Sequence, residues 1–149
     1  MSSNFAANVE LAYTSIEEAF PKVEPEIEPL GSRVLFQIKR AIKRTKSGIW
    51  LADETVETED ANTQVAKVIA MGPLAFHSRN TGEPWPEGAW VKVGDYARVP
   101  KFGGDSWTVR LTELIGGKPV HSEIKFRMFN DLEILGKVTG DPLKVNAYA

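Results

Sequence analysis

The 149-residue sequence carries two histidines, His77 and His121, and no cysteine. Without thiols there is no disulfide, no thiolate nucleophile and no Cys-ligated zinc. The two imidazoles lie far apart in the chain, which argues against a His-based metal centre. Neither stands in a setting that suggests a Ser-His-Asp arrangement, and His77 reads as a solvated loop residue. The acidic run Asp53–Asp60 lacks the glycine-containing spacing of an EF-hand and reads as a solvated charged stretch. Gly116-Gly117-Lys118 lacks the first glycine of a phosphate loop and reads as a hairpin turn. The residues therefore point away from an enzyme, and no cofactor or metal is expected.

Recognition chemistry is better represented. Arg33 to Lys46 holds six basic residues and no acidic one. Asp53, Glu54, Glu57, Glu59 and Asp60 follow, and Ser47-Gly48 and the apolar triplet Ile49-Trp50-Leu51 sit between the two charged flanks. Charged flanks gain nothing from burial, so a mobile loop is expected over residues 40–64. Two readings of the triplet stand side by side. It either begins a core strand, with Gly48 as its turn, or supplies anchors that fold onto a partner groove. The basic run beside Phe102 and Trp107 also permits an OB-type barrel binding single-stranded nucleic acid. The net charge of −2 and the adjacent acidic run oppose that alternative. A phage structural or assembly protein built on a barrel is a further alternative.

These segments need a scaffold. At 42% apolar residues the chain can build a core, and its length suits one domain. Phe5, Val9, Ala12, Ile16 and Phe20 recur at helical spacing, so the first 20 residues are read as a short amphipathic helix. It is either a frayed tail or a docking arm. Pro21, Pro25 and Pro29, interleaved with Glu24, Glu26 and Glu28, predict a stiff extended linker. The expected organisation is helix and linker over 1–28, a β-domain over 29–138 and a tail over 139–149. Strands are expected in RVLFQIKRAI, QVAKVIAMG, AWVKV, DYARVPKF, WTVRL, EIKFRMF and NDLEILGKV. Short strands punctuated by Gly and Pro predict an all-β barrel or sandwich. No run approaches the roughly 18 apolar residues of a membrane span, and the N-terminus does not read as a signal peptide. A cytoplasmic protein is expected, without membrane or nucleic-acid partners.

Five pieces in order resemble the GroES-type co-chaperonins. PLGSRVLFQIKR resembles the opening strand, with Pro29, Leu30, Arg33 and Val34 in place. TKSGIWLADE resembles the mobile loop, with Thr45, Lys46, Gly48, Ile49 and Leu51 aligned. QVAKVIAMG, VKVGDYARVPKFGG and NDLEILGKV resemble the later strands, together covering roughly residues 29 to 138. The chain departs from the pattern in its N-terminal segment, its C-terminal tail, the longer stretch from Val109 to Glu123 and the presence of Trp50. These departures fit a divergent member, such as one encoded by a bacteriophage and working in host bacterial cytoplasm.

The resemblance implies a GroES-like β-barrel with a long mobile loop and a roof hairpin. It implies a homo-oligomeric ring, a heptamer in the family, in which first and last strands meet across subunits. Leu30, Val34, Phe36, Leu132, Ile134 and Val138 are the interface residues expected from it. Gly48, Ile49, Trp50 and Leu51 are the expected contacts to a chaperonin ring. That partner would bind ATP and enclose a client protein. The segment after Gly72 takes the position of the roof hairpin, with Thr81-Gly82 at its tip. There Phe76, Trp85 and Trp90 either line the roof or pack on the barrel. Packing is expected for Trp90, and Trp85 is left open.

Overall fold

The computed structural model describes residues 9–11, 15–40, 43–45, 50–51 and 64–145. In chain order the elements are strand β1 (Val9–Leu11), helix α1 (Ile16–Ala19), and strands β2 (Arg33–Ile38), β3 (Lys43–Thr45), β4 (Trp50–Leu51), β5 (Val65–Met71), β6 (Tyr96–Arg98), β7 (Asp105–Ile115) and β8 (Lys118–Asn130). A 3-10 turn over Asp131–Glu133 and strand β9 (Gly136–Lys137) complete the order.

The architecture is all-β. Six strands form one antiparallel sheet in the order β7-β8-β2-β5-β6-β9. A separate three-stranded sheet has the order β1-β3-β4. The main core gathers Val34, Phe36 and Ile38 from β2, Ala66 and Val68 from β5, Ala97 from β6 and Phe129 from β8. Alternation along β2 sends these three side chains inward.

The other face of β2 is covered as well. Leu35 packs with Ile124, Phe126 and Met128, while Val23 of the linker joins from outside. Gln37 donates from Nε2 to the Pro21 carbonyl (2.8 Å). Lys39, 1% exposed, donates from Nζ to the carbonyls of Pro142, Leu143 and Val145. The Pro/Glu linker and the C-terminal tail thus both lie against the barrel. Trp107 fixes the linker further, its indole N–H donating to the Pro25 carbonyl (2.7 Å).

Several expectations change. The proposed 20-residue helix is a strand at Val9–Leu11 and a helix only at Ile16–Ala19, with residues 1–8 and 12–14 outside the described residues. The extended backbone at Val9–Leu11 is held by pairing to Thr45, Arg44 and Lys43, a tertiary contact that outweighs local periodicity. AWVKV forms no strand: Val91 enters the core, whereas Val93 is 59% exposed in the turn to Gly94. WTVRL and EIKFRMF are parts of one long hairpin, β7 and β8, paired from Asp105↔Met128 to Ile115↔Lys118. Gly116 and Gly117, both at positive φ, make its turn as expected. NDLEILGKV yields a 3-10 turn and only two residues of strand.

Candidate functional site

The loop region begins and ends on firm ground. Its two stems are adjacent, because the Lys39 N–H donates to the Val65 carbonyl (3.1 Å). At the outgoing stem the Arg40 N–H donates to the Ala19 carbonyl (2.8 Å), and Nε donates to the Glu18 carbonyl (3.0 Å). Arg40 Nη1 also reaches Glu113 (2.8 Å) and Ser122 (3.2 Å) on the long hairpin. At the returning stem the Val99 N–H donates to the Gln64 carbonyl (2.9 Å), and Gln64 Nε2 donates back to the Val99 carbonyl (2.8 Å).

Between the stems, β3 pairs with β4 in the register Lys43↔Leu51 and Arg44↔Trp50. The backbone of Trp50 and Leu51 therefore belongs to the small sheet and not to the six-stranded one. The reading of this triplet as the start of a core strand of the barrel is not what the topology gives. Gly48 and Ile49, and the mobility expected across residues 40–64, fall on or include positions outside the described residues. On its other side β3 pairs with β1, which aligns Glu10 with Arg44.

The segment after β5 folds back over one end of the barrel. His77 and Pro84 bridge it, and Gly82 donates to the Ser78 carbonyl at the tip (2.8 Å). Phe76, 2% exposed, packs edge-on to Trp85 with ring centroids 5.4 Å apart. Trp85 and Trp90 are 5.1 Å apart, and both pack against the main core. Trp90 thus sits where expected, and Trp85, left open by sequence, packs with it. His77 Nδ1 lies 2.7 Å from the Ala75 carbonyl, a local turn contact.

The six expected interface residues divide. Val34 and Phe36 are fully buried in the protomer's own core, and their strand has β8 on one edge and β5 on the other. Both edges of that strand are thus paired within the protomer. Leu30 and Leu132 are 66% and 70% exposed. They flank the bond from the Asp131 N–H to the Ser32 carbonyl (3.0 Å), so they share one end of the sheet. Ile134 is buried and lines an open hollow of about 360 Å³ with Trp90, Val91, Leu135, Gly136 and Lys137. Val138 is half-buried against Ala19, Phe20 and Val65.

Residues 26–121 match the family described as chaperonin 10 Kd subunit. The chain belongs to that family. It is 34% identical over 120 residues to the mitochondrial 10 kDa heat shock protein of Saccharomyces cerevisiae, covering 80% of this chain and 95% of the relative. It is 37% identical over 82 residues to the co-chaperonin GroES of Methylacidiphilum infernorum, covering 55% of this chain and 75% of that protein. A third relative, the co-chaperonin GroES of Listeria monocytogenes, is 30% identical over 89 residues, covering 60% and 86%. In this chaperonin 10 chain the matched span starts at Glu26, so β1 and α1 lie outside it.

Sequence reasoning missed the groups that hold the loop stems. Arg127, 6% exposed, donates to the carbonyls of Pro100 (2.6 Å) and Gly103 (2.8 Å) and lies 4.6 Å over the Phe129 ring. A charged residue inside an apolar alternation, as in EIKFRMF, was the available signal. Lys39 and Arg40, directly after the buried β2, carry the same signal. Among the described residues no group of three or more His, Cys, Asp or Glu could hold a metal ion.

Proposed function

We propose that this chain acts as a co-chaperonin that caps a chaperonin ring, gripping it through Gly48, Ile49, Trp50 and Leu51. Membership of the chaperonin 10 family is the observation that carries the reading. The topology supports it, since Trp50 and Leu51 lie on a small sheet apart from the barrel, at the end of a firmly rooted segment.

The energetics suit a reversible lid. Burying three large apolar side chains contributes roughly 1.5–3 kcal/mol each. Ordering the segment that carries them takes back about 2–5 kcal/mol. One contact is therefore weak, and an oligomer of them multiplies affinity by about 10²–10⁴. ATP would be bound and hydrolysed by the chaperonin, whose cycle of release a weak multivalent cap permits.

The assembly we infer is a homo-oligomeric ring, heptameric by analogy with the family. Exposed Leu30 and Leu132, together with the hollow beside Ile134 and the edge strand β9, are the surfaces suited to a neighbouring subunit. Residues 29–138 would form the family-like unit. Among the described residues no helix is long and apolar enough to cross a membrane. The yeast relative is named as mitochondrial, so family membership by itself does not fix a compartment. The nucleic-acid and structural-protein readings are not carried forward, because the family accounts for the same residues.

Native mass measurement followed by co-sedimentation with a chaperonin double ring and ATP tests the proposal. Trp50→Asp and Leu51→Asp should each abolish co-sedimentation while the native mass stays that of the wild type. A monomer that ignores the chaperonin would end this reading.

A further inference from the structure

We propose that the N-terminal arm is a built-in third strand that pre-orders the partner-binding segment, and so raises its affinity for the chaperonin. The inference rests on the function proposed above. It assigns a role to residues that precede the family match, which begins at residue 26.

The pairing itself is the first observation. β1 adds to β3 in the register Val9↔Thr45, Glu10↔Arg44 and Leu11↔Lys43. Without it, β3 and β4 would be a bare pair of strands, joined among the described residues through Lys43↔Leu51 and Arg44↔Trp50. An isolated two-stranded hairpin is marginal in water, and a third strand is what usually makes such a unit persist. Because β3 is the central strand, every backbone bond that β1 adds falls on the strand that holds Trp50 and Leu51 in register.

The second observation is the shared root. Arg40 binds the carbonyls of Ala19 and Glu18, so the arm and the outgoing loop stem leave the barrel from one clamp. Ala19 and Phe20 are buried, and the Phe20 ring lies 5.0 Å from Tyr96, which fastens the base of the arm to the barrel. Two segments tethered at one point meet at high effective concentration, so even three register pairs suffice to hold them.

The third observation decides the sign. The arm pairs with β3 and leaves the outer edge of β4 without a strand among the described residues. An arm paired to β4 would cover the backbone of Trp50 and Leu51 directly; this one pairs with β3 instead. A segment already ordered loses less freedom on binding, and the saving appears as affinity.

The test uses the full chain with Glu10→Pro and Leu11→Pro together. In an antiparallel ladder adjacent positions alternate between bonded and non-bonded pairs, so this pair removes at least one ladder N–H whichever it is. A second variant begins at Ser15. Two measurements are made: amide exchange at Lys43–Thr45 in the free protein, and affinity for a chaperonin double ring with ATP. Both variants should lose exchange protection at Lys43–Thr45, keep it in β2 and β8, and bind at least about tenfold more weakly. Unchanged protection overturns the pairing. Lost protection with equal or tighter binding overturns the pre-ordering role. If the wild type shows no chaperonin binding, the function proposed above falls and this role falls with it, whereas the exchange data still report the pairing.

Discussion

The Phe76 backbone N–H donates to Asp131 Oδ2 at 2.9 Å, joining the segment that crosses one end of the barrel to the 3-10 turn after β8. Phe76 has φ of 62°, a left-handed conformation that a bulky residue adopts only when its surroundings enforce it. The enforcing groups are this carboxylate and the rings of Trp85 and Trp90. Asp131 is itself buried at 4% exposure. Asp131→Ala leaves a buried N–H without its acceptor, at a cost of about 1–3 kcal/mol. Asp131→Asn keeps an acceptor and should lose less. Urea unfolding of both variants checks the order.

Gly72 makes a backbone contact that no side chain tolerates. A Cβ there would lie 2.2 Å from the Gly31 carbonyl oxygen. The two glycines approach because Gly72 donates to Arg33 (2.8 Å) and Leu74 donates to Gly31 (2.9 Å). Gly72→Ala must push these segments apart and should destabilise the fold by roughly 1–3 kcal/mol or more. A thermal midpoint equal to that of the wild type would contradict this account.

Burial pushes the Lys39 ammonium below its ordinary pKa, and Asp141 offsets this only partly. Between the lowered folded value and the unfolded value of about 10.4, the unfolded chain binds more protons. Stability referred to Lys39 therefore rises with pH through that window and is flat below it. Lys39→Met should remove this slope when variant and wild type are compared across alkaline pH. It should also free the Pro142–Val145 tail, detectable as faster proteolysis there.

Asp95 shows a dependence of the same sign at the acidic end of the scale, because its folded pKa is also lowered. The Lys92 backbone N–H on its carboxylate holds its pKa down, with Lys137 adding to the effect. Its contribution is complete above the unfolded value of about 3.9 and fades as pH falls through the lower folded value. Asp95→Asn should thus be less stable than the wild type at neutral pH and converge with it in strong acid. Parallel denaturant series at several pH values provide the check.

Much of the barrel was legible because its strands alternate cleanly. Val34, Phe36 and Ile38 read as one face and pack as one face. The opposite face of β2 was not legible, because Leu35, Gln37 and Lys39 are covered by linker and tail segments distant in sequence. The N-terminal periodicity misled for a similar reason: Val9–Leu11 takes its conformation from β3 and not from its neighbours. The polar stretches beside Gly116 and Gly117 concealed the length of the β7–β8 hairpin, whose outer half pairs without entering the core. Of the candidate site, the sequence pointed to Trp50 and Leu51, whereas their strand partners could be found only from topology.

Arg40 touches the N-terminal turn through Ala19 and Glu18 and the long hairpin through Glu113 and Ser122. It stands where the chain leaves the barrel, so it works as a mooring. Tension drawn through the outgoing strand by a bound partner is shared among pieces of the molecule far apart in sequence. The final register pair of β2 does not carry that load alone, and a pull on the segment is met without fraying at its hem.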